Sequence, residues 1–124
     1  PRGYANGVAA TGRMVFTAGV VGWNAAEEFE SDELVPQLRQ ALLNTRDILA
    51  AAAATPQDIV RMTWYVTDMK AYTANLAEIG VIWREVFGKA FPCMACVEVL
   101  SLVEPRAKVE IETTAVISDQ DAVS

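Results

Sequence analysis

The 124-residue sequence contains no histidine, two cysteines and few basic residues. The absence of histidine excludes imidazole acid–base catalysis, Ser-His-Asp and Cys-His nucleophiles, and zinc sites of the HExxH type. Ten Lys and Arg against 16 Asp and Glu give a net charge of −6, which disfavours binding to the phosphate backbone of a nucleic acid. Any chemistry must therefore use Glu, Asp, Tyr, Cys, Lys, Arg, backbone groups or water.

Long apolar runs are also lacking, although 52% of the residues are hydrophobic. No run approaches the ~20 residues of a membrane span, so we expect no membrane partner, and no signal peptide is visible. The length predicts one domain, which we place at residues 1–117, with a flexible tail at 118–124. The high apolar content of so small a domain predicts that part of its surface is buried between subunits.

The two cysteines, Cys93 and Cys96, form a CxxC motif. Redox pairs of this kind usually lie at a helix N-terminus, whereas this pair enters a predicted strand, where positions three apart point to opposite faces. A zinc site would need further Cys or His ligands, and the sequence has none. We therefore interpret both residues as buried or pocket-lining thiols, predict no metal site, and expect a reducing, cytoplasmic location.

The hydrophobic pattern predicts an α+β fold of five strands and two helices in the order β-β-α-β-α-β-β. The predicted strands are 4–11, 14–21, 59–67, 91–100 and 108–116, the first two forming a hairpin around Gly12-Arg13 and the last two a closing pair. The first helix starts at a Ser31-Asp32 cap and ends in the Ala50–Ala54 run, and the second spans about Lys70 to Phe87. Two helices can cover one face of the sheet, so apolar residues on the other face predict an oligomer.

Two glycines interrupt these predicted elements. Gly19 lies inside a strand, which indicates a bulge or a close approach by a neighbouring group. Gly80 lies in the middle of the second helix, where glycine costs about 1 kcal/mol relative to alanine. We therefore expect another element to pack tightly against Gly80.

Three glutamates, Glu98, Glu110 and Glu112, alternate with apolar residues on the last two predicted strands. Carboxylates on strands that otherwise have the composition of a core indicate a sheet rim, a subunit interface or a functional site. The sequence pattern alone leaves these three interpretations open.

The sequence resembles the Rid (reactive intermediate deaminase) family, also called YjgF-like or L-PSP, over about residues 4–117. The resemblance rests on Gly3-Tyr4-Ala5-Asn6-Gly7-Val8, Thr17-Ala18-Gly19, Ile59–Asp68, Phe91-Pro92, Cys96–Val99 and Lys108–Glu112. It implies a chorismate-mutase-like fold with two helices on one face of a mixed five- or six-stranded sheet, and a homotrimer with a central barrel and small-molecule clefts between subunits. It also implies cofactor-independent hydrolysis of enamines and imines such as 2-aminoacrylate.

The residues implied by the resemblance match the family pattern only in part. Glu110 matches the glutamate that positions or activates water, and Tyr4, Gly19 and Cys96 match pocket residues. Ala18 stands where the pocket has a serine.

Met94 is the main departure from the family pattern. It stands where RidA-type members have an arginine that holds the substrate carboxylate bidentately, and methionine cannot replace a guanidinium. We therefore expect a substrate other than 2-aminoacrylate, such as a larger, less acidic or aromatic compound that contacts Trp23 or Trp64. Arg106 and Arg2 are candidate replacements for the missing cation, although a solvated surface arginine is the ordinary interpretation of each.

The leading hypothesis is an enamine or imine deaminase in which Glu110, beside Met94 and Tyr4, holds the attacking water. Glu110 can instead form a structural ion pair with Arg61, Lys108 or Arg106, and we expect Glu98 and Glu112 to be structural. The alternative is a trimer that binds or senses a small metabolite without turnover. A ribonuclease is disfavoured by the acidic charge and the lack of histidine, so no nucleic-acid partner is expected.

Overall fold

The computed structural model describes residues 4–118, which form an α+β fold around one mixed five-stranded sheet. The strands are β1 (Gly12–Phe16), β2 (Val20–Val21), β3 (Ile59–Val66), β4 (Cys93–Glu98) and β5 (Val109–Ser118). The helices are α1 (Leu34–Ala51), α2 (Met69–Ala74) and α3 (Leu76–Phe87), with a 3₁₀ turn at Pro56–Asp58. The predicted fold class and mixed sheet are confirmed. Within residues 4–118 no helix has the length and apolar character needed to cross a membrane.

The strand order is β1-β5-β3-β4, with β2 also paired to β5. β5 runs antiparallel to β1, β2 and β3, whereas β3 and β4 are parallel. A parallel pair needs a long crossover connection, which α2 and α3 supply. The predicted closing pair is therefore wrong, because β3 lies between β4 and β5.

The predicted N-terminal hairpin is also wrong. Residues 4–11 contain no strand, and their one ladder contact is an isolated parallel bridge between Ala5 and Cys93. Gly12 and Arg13 begin β1 instead of forming a turn. The residues of 4–11 are mostly small, so they offer little apolar surface to bury against the sheet. β1 pairs with β5 instead, and residues 17–19 interrupt the predicted strand 14–21.

The predicted second helix is divided at Asn75. This residue has φ −121° and ψ 21°, and its side-chain amide donates to the Ala71 carbonyl at 2.7 Å, which ends α2. The predicted tight packing on Gly80 is wrong, because the nearest atom to a Cβ built there is Arg84 Nη1 at 3.6 Å. Gly80 is therefore a position with free space beside it.

The helices cover one face of the sheet, and the core lies between them. Its largest fully buried side chains include Leu38, Leu42, Leu49, Met62, Trp64, Phe87 and Ile111. On the opposite face Met14, Phe16 and Val97 are 56%, 65% and 41% exposed. The predicted apolar second face is thus present, and its burial in an oligomer stays a prediction. β5 extends through Ser118, so the predicted tail does not start at 118, and its remainder lies outside the described residues.

Candidate functional site

The predicted site residues are divided between two cavities on the surface of the chain. The Met94 cavity has a volume of about 700 Å³, and the predicted residues that line it are Tyr4, Met94 and Cys96. The Glu110 cavity has a volume of about 670 Å³, and the predicted residues that line it are Ala18, Gly19, Trp23 and Glu110. The residues predicted for one site between subunits therefore line two separate cavities of the single chain.

Strand alternation explains the division. Met94 lies beside the buried Met62 of β3 and faces the helices, whereas Glu110 lies beside Tyr65 on the opposite face. Because β3 also separates their strands, Glu110 does not lie beside Met94 and Tyr4 within one chain, and their predicted meeting in a cleft between subunits stays a prediction. Alternation fixes the face of a residue within its strand, but it does not determine which strands become neighbours.

Gly19 allows the Glu110 carboxylate to lie directly against the backbone. A Cβ atom at Gly19 would be 2.5 Å from Glu110 Oε2 and 2.7 Å from its carboxyl carbon. The close approach of a neighbouring group, which the sequence predicted at Gly19 as one of two alternatives, is therefore made by the Glu110 carboxylate. Within residues 4–118 the Glu110 side chain forms no ion pair and no hydrogen bond. Its carboxylate is therefore positioned by shape while its oxygens remain available to a ligand or water.

Gln37 of α1 holds the start of β5, and with it Glu110, in position. Its side chain is 1% exposed, and Nε2 donates to the carbonyls of Ser31 and Arg106 at 2.9 Å each. Oε1 accepts from the Lys108 amide at 2.7 Å. With these three hydrogen bonds, the buried Gln37 amide connects α1 to the loop at Ser31 and to the loop at residues 106–108.

The other two glutamates, Glu98 of β4 and Glu112 of β5, have hydrogen-bond partners within the chain. Glu98 Oε1 accepts from the Met69 amide at 2.8 Å at the beginning of α2. Glu112 Oε1 accepts from the Tyr65 hydroxyl at 2.7 Å, and this bond is the main cause of the raised pKa of Tyr65. Both contacts agree with the structural interpretation of these two residues.

Arg106 does not replace the missing arginine within the chain. It donates to Asp32 Oδ1 at 2.8 Å and lies over the Phe29 ring at 5.7 Å, and it lines neither the Met94 cavity nor the Glu110 cavity. The ion pair with Arg106 holds the pKa of Asp32 below its usual value. Arg2, the other candidate, lies outside the described residues.

Aromatic rings form much of the Met94 cavity. Trp64 packs edge-on against Tyr72 with centroids 6.2 Å apart, and it lies 5.9 Å from Trp83. Trp83 is held in turn by its indole N–H, which donates to the Ala90 carbonyl at 3.1 Å. These rings make a rigid apolar wall behind Met94.

Tyr72 and Cys96 are the polar contact inside this wall. Burial raises the pKa of Tyr72 to about 12, with smaller contributions from its interactions with Cys96. Burial likewise raises the pKa of the Cys96 thiol, and the Tyr72 hydrogen bond opposes that shift only in part. Cys93 lies on the opposite face of β4, beside Arg61, so the predicted separation of the two thiols is confirmed.

Sequence reasoning missed Arg84, Tyr72 and Lys89, which also line the Met94 cavity. Arg84 follows Gly80 by one helical turn, on a helix whose apolar stripe includes Ile79 and Trp83. A small residue and a cation at this spacing, next to the stripe, indicate an opening in the helix surface.

Comparisons with known proteins agree with the resemblance. A family model described as Endoribonuclease L-PSP matches residues 2–117. A RutC family protein of Haemophilus influenzae is 35% identical over 105 residues, which cover 85% of this chain and 80% of that protein. The 2-iminobutanoate/2-iminopropanoate deaminase of Escherichia coli strain K12 is 33% identical over 105 residues, with the same two coverages.

Solved structures show the same fold. The Rid family protein YyfB of Yersinia pestis, described as of unknown function, matches with a TM-score of 0.80 and 33% identity, covering 93% of this chain and 87% of that one. TdcF of E. coli with bound serine matches with a TM-score of 0.76 and 32% identity, covering 93% and 88%. Because the family model spans nearly the whole chain and these relatives share its fold, the chain belongs to the L-PSP family, which is the Rid family.

Proposed function

We propose that this chain is a cofactor-independent hydrolase that deaminates a reactive enamine or imine, acting as a cytoplasmic homotrimer. In the proposed trimer, the Glu110 cavity of one subunit faces the Met94 cavity of the next, so that each site lies between two chains of a chorismate-mutase-like assembly. Support comes from relatives named as iminobutanoate and iminopropanoate deaminases and from the exposed apolar face of the sheet.

The main support for this proposal is the Glu110 carboxylate. It lies against Gly19 and forms no hydrogen bond or ion pair within residues 4–118. A carboxylate that merely stabilised the fold would be expected to have a partner, as Glu98 and Glu112 do. A general base must instead keep its oxygens free for the proton that it takes.

In the proposed reaction, Glu110 accepts a proton from water while the water oxygen attacks the imine carbon. The imine nitrogen takes up a proton from solvent, which completes the carbinolamine. Glu110 then returns its proton to this nitrogen, and the C–N bond breaks as ammonia leaves while the hydroxyl group releases its proton to solvent and becomes the C=O group of the product. Backbone groups near Cys96 and Gly19 polarise the C=N bond, and Tyr4 closes the pocket. Water, imine, ketone and ammonia balance without a cofactor.

Met94 gives the proposed enzyme a substrate preference different from 2-aminoacrylate, because no guanidinium is present at position 94 to hold a carboxylate. The same observation favours a second candidate function, a trimer that binds or senses a small metabolite in this cleft without turnover. The two candidates differ in the role of Glu110. The deaminase needs Glu110 for turnover, whereas the binding protein uses it at most to bind a stable ligand.

The test uses imines generated in situ from a panel of amino acids by an amino-acid oxidase, with semicarbazide as the competing trap. We expect the protein to lower semicarbazone formation and release ammonia faster than spontaneous hydrolysis. Glu110→Gln should lose about a hundredfold or more of this acceleration, since it cannot accept the proton. Glu112→Gln is the matched control, and it should retain activity because its amide oxygen can still accept from Tyr65. No acceleration for any imine, or full activity in Glu110→Gln, would contradict the deaminase.

A further inference from the structure

The Met94 cavity has a charge opposite to that of the chain as a whole. Its lining within residues 4–118 includes two cations, Arg84 and Lys89, and no Asp or Glu. The Glu110 cavity, by contrast, includes Glu27, Asp47 and Glu110 in its lining. In a chain of net charge −6, a cavity with only cations among its charged groups favours an anionic ligand.

Arg84 has no competing partner. Arg13, Arg39, Arg46 and Arg106 each donate to a carbonyl or carboxylate, whereas the side chains of Arg61 and Arg84 form no hydrogen bond or ion pair within the described chain. Of these two, Arg84 lines the Met94 cavity and Arg61 does not. Its guanidinium lies 3.6 Å from the position that a Cβ of residue 80 would occupy, and Gly80 itself lines the cavity. Glycine at position 80 therefore leaves open the space beside a free guanidinium.

The remaining walls select for a bulky apolar group. They combine the aromatic rings of Trp64, Tyr72, Trp83 and Phe91 with the aliphatic side chains of Leu76, Ile79 and Met94. The volume of about 700 Å³ lies within the range of pockets that enclose drug-sized ligands, and it far exceeds the needs of the imine of alanine. The cavity thus offers rings for stacking and a cation at one side.

We propose that Arg84 binds the carboxylate of the substrate in place of the arginine missing at position 94, and that the substrate is a 2-imino acid with an aromatic or other bulky apolar side chain. The ring packs among Trp64, Tyr72 and Trp83, and the carboxylate accepts hydrogen bonds from the guanidinium. This inference rests on the proposed function for the imine, but its ligand chemistry can be tested without turnover.

The binding test uses stable 2-keto acids, which carry the carboxylate and side chain of the expected products. Phenylpyruvate should bind more tightly than pyruvate in calorimetry and should change the fluorescence of Trp64 and Trp83. Benzyl methyl ketone, which lacks the carboxylate, should bind weakly. Equal affinity for phenylpyruvate and pyruvate, or for phenylpyruvate and the uncharged ketone, would overturn the proposal.

Two variants separate the contributions of charge and space. Arg84→Ala should weaken phenylpyruvate binding by about ten- to a hundredfold, the loss expected for hydrogen bonds to a charged group. Lys70→Ala, which removes an exposed cation that does not line the Met94 cavity, should leave the affinity unchanged. Gly80→Phe should fill the opening and abolish binding. Unchanged affinity in Arg84→Ala, or an equal loss in Lys70→Ala, would refute the role of Arg84.

The two proposals fail in different ways. If phenylpyruvate binds in an Arg84-dependent manner but no imine is hydrolysed, the anion site stands and the deaminase does not. If small and bulky imines are hydrolysed equally and Arg84→Ala changes neither rate, the deaminase stands and this inference is refuted.

Discussion

Gly19 is the residue on which the geometry of the Glu110 carboxylate depends most directly. Gly19→Ala would place a methyl group 2.5 Å from Glu110 Oε2, so the carboxylate must move. Because the group that moves is the end of a flexible side chain, we expect the melting temperature to change little. The rate of imine hydrolysis should fall at least about tenfold, since a base must lie within hydrogen-bond reach of its proton.

Gly7→Ala is the matched control, because no atom lies within 4 Å of a Cβ built at Gly7. It should retain the activity of the unaltered protein. If Gly19→Ala also retains that activity, the position of the Glu110 carboxylate does not limit the reaction.

The Cys96 thiol should react slowly at neutral pH. Burial raises the pKa of this thiol, so at neutral pH a smaller fraction of Cys96 is thiolate than in an exposed cysteine. Only the thiolate is nucleophilic. Tyr72→Phe should raise the pKa further, because it removes a hydrogen bond that lowers it. Rates of iodoacetamide labelling against pH, followed by peptide mass spectrometry, measure both effects, with the denatured chain as reference. Fast labelling of folded Cys96 at neutral pH would contradict this assignment.

At the scale of elements, α3 contains a glycine that can be replaced with a gain in stability. Gly80→Ala meets only Arg84 Nη1, at 3.6 Å, so it should stabilise the protein by about 1 kcal/mol through helix propensity. For a domain of this size the melting temperature should rise by roughly 3–5 °C in calorimetry.

Gly22→Ala provides the contrast. A Cβ there would lie 2.1 Å from the backbone oxygen of Gln37, which cannot move without displacing α1. We expect a clear loss of stability. A fall in melting temperature for Gly80→Ala, or none for Gly22→Ala, would contradict the packing around these two glycines.

Elements with a strong hydrophobic period were predictable. Elements that depend on which strands pair, or on side chains that compete for backbone hydrogen bonds, were not. β3 and α1 follow directly from the alternation around Trp64 and the helical spacing of Leu38 and Leu42. The break at Asn75 was hidden, because the apolar period continues through it while a side-chain amide ends the helix. The alternation in residues 4–11 predicts a strand. It does not reveal whether a partner strand exists for these small residues, and the structure provides none.

The candidate site was predictable one residue at a time but not as an arrangement. Tyr4, Met94 and Cys96 line one cavity. Glu110 lines the other cavity of the chain, and its predicted place beside Met94 depends on subunit packing that no local sequence pattern records. Arg84 was missed because a helical arginine usually lies on a solvated face.

For the whole molecule, the exposed apolar face of the sheet predicts self-association. We expect light scattering with size exclusion to give three times the chain mass of 13.5 kDa. Phe16→Glu should shift the population toward monomer, because it places a charge on this 65% exposed apolar residue of β1.

Val81→Glu is the control for that substitution. Val81 is 45% exposed on α3, away from this face, and the variant should keep the oligomer. A monomeric parent protein, or an unchanged oligomer in Phe16→Glu, would contradict the burial of this face.

The sheet that separates Met94 from Glu110 has a genetic consequence. If each working site is shared by two chains, a chain with Glu110→Gln and a chain with Gly80→Phe damage different halves of it. A mixed oligomer then contains at least one interface whose two halves are both intact. Two alleles that are inactive alone should therefore complement each other when co-expressed, whereas the same two proteins purified separately and mixed without subunit exchange should remain inactive. Failure of the co-expressed pair to regain imine hydrolysis would assign both halves to a single chain.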